Sequence, residues 1–148
     1  MFDQSAGIPS TSAFAIDRVR QIETMRMGEP QVAIRTEHVF HAGVYARTMI
    51  VPEMPKGKAC LITSTLIRKA TLLISHGDAL VYVGADEPCR LTGHQVIEAA
   101  AGRKTAYVAA SGFRLTMIFA TSATTVEEAE AEFTDEPGLL LSRRQGGA

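Results

Sequence analysis

Ala70-Thr71-Leu72-Leu73-Ile74-Ser75-His76-Gly77-Asp78-Ala79-Leu80-Val81-Tyr82-Val83 is the stretch that decides the fold. Two aliphatic runs meet at Ser75-His76-Gly77-Asp78, and the second stops at Gly84-Ala85-Asp86-Glu87-Pro88. Leu, Ile, Val and Tyr suit a pleated strand, while Gly, Asp and Pro punctuate. The pattern predicts a β-hairpin embedded in residues 63–98, with more strands of the same sheet on either side.

Working outward, extended segments are expected at 32–34, 38–41, 44–51, 59–65, 90–92 and 95–98. A closing hairpin is expected over 105–110 and 113–120, turning at Ser111-Gly112. Strands about ten residues apart, with Gly-rich turns and no helix between them, argue a sandwich or barrel. On residues 44–51, Tyr45, Arg47 and Met49 share one face, and Ala46, Thr48 and Ile50 the other.

A helix is predicted at each end. Residues 13–27 follow a capping Ser12, with Phe14, Ile16, Val19, Ile22 and Met25 on a narrow, drifting seam. This helix either packs on its own domain or docks on a neighbouring subunit. Thr125-Val126-Glu127-Glu128 is a capping box that opens a second helix, with Val126, Ala129 and Phe133 as its buried stripe. The organisation expected is one structural domain: an arm and helix over 1–30, a β-barrel over 31–122, and a helix and tail over 123–148.

With 148 residues, 46% hydrophobic and 21% charged, the chain can bury one core. A net charge of −1 offers no electrostatic case for nucleic acid. No apolar run reaches the roughly 18 residues of a membrane span, and Met1 to Ser5 lack the features of a signal peptide. No membrane or nucleic-acid partner is therefore expected. Cys60 and Cys89 read as reduced and partly buried, which suggests a cytosolic protein.

Candidate chemistry is sparse. His38 and His41 are three apart, so a strand sends their rings to opposite faces. Ser75-His76-Gly77-Asp78 carries the letters of a triad, but sequence neighbours cannot align nucleophile, base and orienter. Arg68-Lys69 and Arg103-Lys104 read as solvated turn or edge charges, or as one basic pair that binds a carboxylate or phosphate. The polar set placed nearest a barrel mouth is Arg47, Glu98 and Tyr107. If all three point inward, Arg47 holds Glu98 ionised and Tyr107 donates to a small ligand; otherwise they form a structural ion pair. No catalytic residue and no metal ligand is assigned, and no cofactor is expected.

The glycine skeleton resembles the cupin double-stranded β-helix. Gly57 and Gly77 match the flanking glycines of the family's first motif, with Ser64, Leu66 and Ala70 at its metal-ligand positions. Gly93 and Gly102 match the second motif, with Ala100 in place of its proline and Thr105 in place of its histidine. The resemblance implies a mainly β, jelly-roll barrel carrying an N-terminal and a C-terminal helix. It also implies a barrel without the family's metal, because Ser, Leu, Ala and Thr do not replace imidazole and carboxylate.

Residues 38–47 (His-Val-Phe-His-Ala-Gly-Val-Tyr-Ala-Arg) and 124–130 (Thr-Thr-Val-Glu-Glu-Ala-Glu) are similar to segments of small cupin-like proteins of tailed bacteriophages and prophages. That likeness implies a protein of the host cytoplasm, or one incorporated into the virion. The strands around Leu72, Leu73 and Ile74, and around Met117, Ile118 and Phe119, barely alternate, so cover on both faces is expected. Leu72 and Ile74 are then contacts for a second copy of the chain, or for other phage structural proteins, and the run Leu139-Leu140-Leu141 either lies back on its own domain or enters such a partner's groove. The function expected is a non-catalytic phage assembly protein built on a metal-free, oligomeric barrel. The alternative is a small-molecule binder or metal-independent enzyme using Arg47, Glu98 and Tyr107.

Overall fold

The computed structural model describes residues 7–26, 32–83 and 87–140. The chain is mainly β with two α-helices. In order it forms α1 (Ala13–Arg26), β1 (Arg35–His41), β2 (Val44–Ile50), β3 (Cys60–Thr63), β4 (Thr71–His76), β5 (Ala79–Tyr82), β6 (Cys89–Leu91), β7 (His94–Ala99), β8 (Ala106–Ala109), β9 (Arg114–Ala120) and α2 (Val126–Phe133). A short 3-10 turn follows at Pro137–Leu139.

The strands build two antiparallel sheets, β1-β2-β9-β4-β7 and β3-β8-β5-β6. From β2 onward the chain changes sheet at every step except β5 to β6. That alternation, with β2-β9-β4-β7 facing β3-β8-β5-β6, is the strand order of an eight-stranded jelly roll. β1 adds a ninth strand by a true hairpin with β2, whose turn residues Ala42 and Gly43 both have positive φ, 52° and 74°.

The hairpin expected over residues 70–83 is therefore corrected. β4 pairs with β7 and β9, whereas β5 pairs with β6 and β8. Gly77-Asp78 is a corner that carries the chain from one sheet to the other. Gly77 sits at φ 105°, and a Cβ there would lie 3.3 Å from Cα of Phe113. The closing hairpin is corrected in the same way: β8 and β9 lie in different sheets.

The core fills the space between the sheets. Tyr45, Phe119 and Met117 face Val81, Tyr107 and Ala109, all buried. Burial in β4 alternates strictly, with Leu73 inside and Leu72 outside. The described residues do not cover both faces: outward-facing Val39, Leu72 and Val96 are 58%, 46% and 61% exposed.

The described segments before β1 and after β9 pack on the sandwich. Ile8 is buried and makes a parallel bridge to Ala99, donating its N–H to the Glu98 carbonyl at 2.8 Å. Ser12 caps α1 through its hydroxyl, which accepts from the Ala15 N–H at 3.2 Å. Of the drifting seam only Val19 is buried, together with Ala15 beside it. Phe14 and Met25 are largely exposed, because positions three apart rotate off one face. What holds α1 to its own chain is polar. Lys104 Nζ is 2.8 Å from Glu23, Thr63 donates to Glu23, and Arg20 pairs with Glu136. α2 begins at Thr125, whose hydroxyl accepts the Glu128 N–H, while the Glu128 carboxylate accepts from that same hydroxyl.

Two substitutions probe the turns. A non-glycine residue in the left-handed region costs roughly 1–2 kcal/mol, and Asn tolerates that region best. Ala42→Asn should raise stability by about 0.5–1 kcal/mol in urea denaturation. Gly77→Ala should lower it by about 1–3 kcal/mol.

Candidate functional site

A cavity of about 120 Å³ lies between the sheets, on the side where α2 and the Pro137–Leu139 turn pack. Arg47, Met49, Ile62, Leu73, Leu115, Met117, Phe133, Leu139 and Leu140 supply much of its wall, and Thr36, Thr65, Arg103, Thr105 and Tyr107 bring polar groups to it. Engineered apolar cavities of roughly 150 Å³ admit benzene, so the space suits a small organic molecule. Met49, Thr63, Ser64, Leu115 and Leu139 are only half-buried, which puts the rim at that end.

The roof is fastened by one buried ion pair. Arg47 Nη1 donates to Glu130 Oε2 at 2.8 Å, and both side chains are almost fully enclosed. The strand alternation that points Tyr45, Arg47 and Met49 inward puts Arg47 here, and the helical spacing of Ala129, Glu130 and Phe133 brings the carboxylate. The guanidinium also lies 5.6 Å from the Phe133 ring centre and donates to the Tyr45 hydroxyl at 3.3 Å. That hydroxyl meets His38 Nδ1 at 2.7 Å. Burial, reinforced by Arg47, holds the His38 imidazole below its usual pKa, against the opposing pull of Glu130 and Glu127.

Arg103 is the second cation of the wall and is 2% exposed. Its Nη1 donates to the carbonyls of Ala100 (2.9 Å) and Lys69 (3.1 Å), and its Nη2 to the Thr71 hydroxyl at 2.8 Å. Nη2 also points at the Met117 sulfur, 3.6 Å away, which is a weak acceptor. Among the described residues no carboxylate pairs with Arg103. Burial pushes its pKa down from the ordinary value, and neighbouring Tyr107 counters that. The Tyr107 phenol is raised by burial, opposed by a hydrogen bond with Thr105 and by the charge of Arg103. The Thr65 hydroxyl, also on the wall, is buried and has no hydrogen-bond partner.

Arg47 and Tyr107 thus meet at one cavity, and Glu98 does not join them. The register of β7 turns Ile97 and Ala99 inward and Glu98 outward, where it lies exposed beside Leu72 and Ala70 in a surface groove. The carboxylate on Arg47 is Glu130, which a search for strand residues near a barrel mouth could not supply. Leu72 and Ile74 lie on the outer face. Leu140 is buried in its own core and Leu139 lines the cavity, so both fold back on their own domain; Leu141 lies outside the described residues.

Arg103 and Lys104 correct the solvated reading, since Lys104 is 0% exposed. The legible signal was their position between a Gly turn and the small, apolar Thr105-Ala106-Tyr107-Val108, a strand that has to face the core.

Of the positions matched to cupin metal ligands, Ser64 and Thr105 do come together: the Ser64 hydroxyl accepts the Thr105 N–H at 2.9 Å, and both line the cavity. Leu66 and Ala70 lie elsewhere. Among the described residues no group of three His, Cys, Asp or Glu could share an ion. Two hydroxyls, an isobutyl group and a methyl at these positions do not fit a transition metal.

The jelly-roll order of β2 to β9 is an architecture that cupins share with viral capsid and lectin domains. The fold is a jelly roll. In shape, the sandwich is similar to a cupin superfamily protein from Desulfitobacterium hafniense, with TM-score 0.47 and 14% identity over 63% of this chain and 82% of that one. It is similar to KdgF from Halomonas sp. at TM-score 0.47 and 14% identity, over 64% and 86% of the two chains. Ectoine synthase from P. lautus gives 0.46 and 14%, over 70% and 75%. These distant likenesses carry no functional argument. No protein family and no curated protein matches the chain in sequence.

Breaking a buried ion pair costs about 3–5 kcal/mol. Glu130→Gln should lose about that much in denaturant unfolding, and adding Arg47→Met should recover most of it. The depressed His38 pKa means that the unfolded chain takes up a proton first as pH falls, so stability present above pH 6.5 should decline below it. His38→Gln should remove that decline. A second loss is expected as pH falls below 4.5, the ordinary value for a glutamate, because Glu136 is held below that value in the fold. Burial raises the Glu136 pKa, but the Leu66 N–H, Lys104 and Arg20 bring it down overall.

Proposed function

We propose that the protein binds a small organic molecule in the cavity between its sheets and performs no chemistry on it. The observation that carries this reading is an apolar pocket onto which Thr65, Arg103 and Tyr107 converge, the usual composition of a ligand site. No His, Cys, Asp or Glu among the described residues lines the wall, so it offers no ordinary general base. A fragment panel read by thermal shift should find binders. Met49→Trp, at the rim opposite Leu115, should abolish their effect while the free protein still unfolds cooperatively. Absence of any binder across the panel would refute the reading.

A second reading, assembly, is favoured by the outer face of the five-stranded sheet. Val39, Ala46, Ile118 and Leu72 lie side by side in one row across β1, β2, β9 and β4. Burying an exposed aliphatic side chain is worth about 1.5–3 kcal/mol, so a second copy or another structural protein of a phage particle is a natural cover. On this reading the protein is a homo-oligomer of the host cytoplasm or of the virion. Light scattering should show an oligomer that Leu72→Glu dissociates. A monomer at micromolar concentration, and absence from purified particles, would count against it.

A further inference from the structure

We infer that the cavity ligand is a small carboxylate with a short apolar tail, its carboxylate held by Arg103. This rests on the small-molecule reading and names the ligand class for the same site. The wall carries two guanidiniums and, among the described residues, no acid. Arg47 has its counter-ion in Glu130. Arg103 is hydrogen-bonded only to neutral groups, and its charge is 2% exposed with no carboxylate paired to it among the described residues. A guanidinium does not deprotonate in proteins, so its burial is costly until an anion arrives.

The Nη2 contact to Met117 Sδ marks the side of Arg103 that can accept a better partner, because Met117 itself lines the cavity. The Thr65 hydroxyl is an independent indication. It is 4% exposed, lines the same space and has no partner, so it can donate to a second carboxylate oxygen or to a polar group on the tail. The rest of the wall, Met49, Ile62, Leu115 and Phe133, is apolar and matches a hydrocarbon tail. The volume of about 120 Å³ excludes large acids.

The test is titration of the full chain with isobutyrate, isovalerate and benzoate beside the corresponding amides, followed by calorimetry and thermal shift. The carboxylates should bind about tenfold or more tightly than the isosteric amides, as expected for a hydrogen bond to a charged group. Arg103→Met should abolish that preference. Thr65→Val should weaken carboxylate binding and, by removing an unpartnered hydroxyl, raise the melting temperature of the free protein. The comparison of acid with amide on the unaltered chain stands even if Arg103→Met fails to fold. Equal binding of acid and amide, or binding of amides alone, would overturn the carboxylate assignment and leave the cavity a binding site for neutral molecules. Binding of neither, with no other fragment bound, would overturn both readings.

Discussion

A cation buried in a protein has to meet negative charge or bear several kcal/mol of desolvation. This chain places three inside one small sandwich: Arg47, Arg103 and Lys104. Its two ends are arranged around them. α2 carries Glu130 to Arg47. α1 carries Glu23 to Lys104, and Glu136 approaches the same ammonium at 3.5 Å from beyond α2. This explains how α1 docks although its apolar seam is weak: a carboxylate, more than a hydrophobic stripe, fixes its position. The arrangement leaves Arg103 on the cavity wall bonded only to neutral groups, one of them the weak Met117 sulfur acceptor, with its charge unbalanced.

The two faces of the five-stranded sheet divide the remaining roles. Inside, alternation delivers Arg47, Leu73, Leu115 and Met117 to the cavity. Outside, the same alternation delivers Val39, Leu72, Ile118 and Val96 to solvent. A one-residue slip in register would exchange the sets, and the tight β1–β2 turn at Ala42-Gly43 helps to pin that register. Ligand binding within and association without are therefore compatible on one scaffold.

Much of this was legible in the residues. The strands fall close to where β-branched runs are bounded by Gly and Pro, Ser12 and Thr125 cap the helices as their hydroxyls suggest, and Tyr45, Arg47 and Met49 share a face. Pairing was not legible. A Gly-Asp corner between sheets and a Gly-Asp hairpin turn look alike locally, and only long-range partners tell β4–β7 from β4–β5. Glu98 failed for a related reason, since alternation gives two faces but not which one is inside. Arg103 and Lys104 read as surface because charge usually is. Their burial depends on Thr71, Glu23 and carbonyls far away in the chain. Leu72 and Leu73 show that neighbouring aliphatics need not both be covered.

The central claim is that a buried, unbalanced guanidinium defines what the sandwich holds. A crystal structure of the full chain grown with isobutyrate tests it most directly. A carboxylate oxygen is expected within hydrogen-bonding distance of Arg103 Nη2, with the methyl groups against Met117 and Ile62. Isobutyrate found only elsewhere, or an Arg103 side chain turned out to solvent or resting on a carboxylate of its own chain, would contradict it.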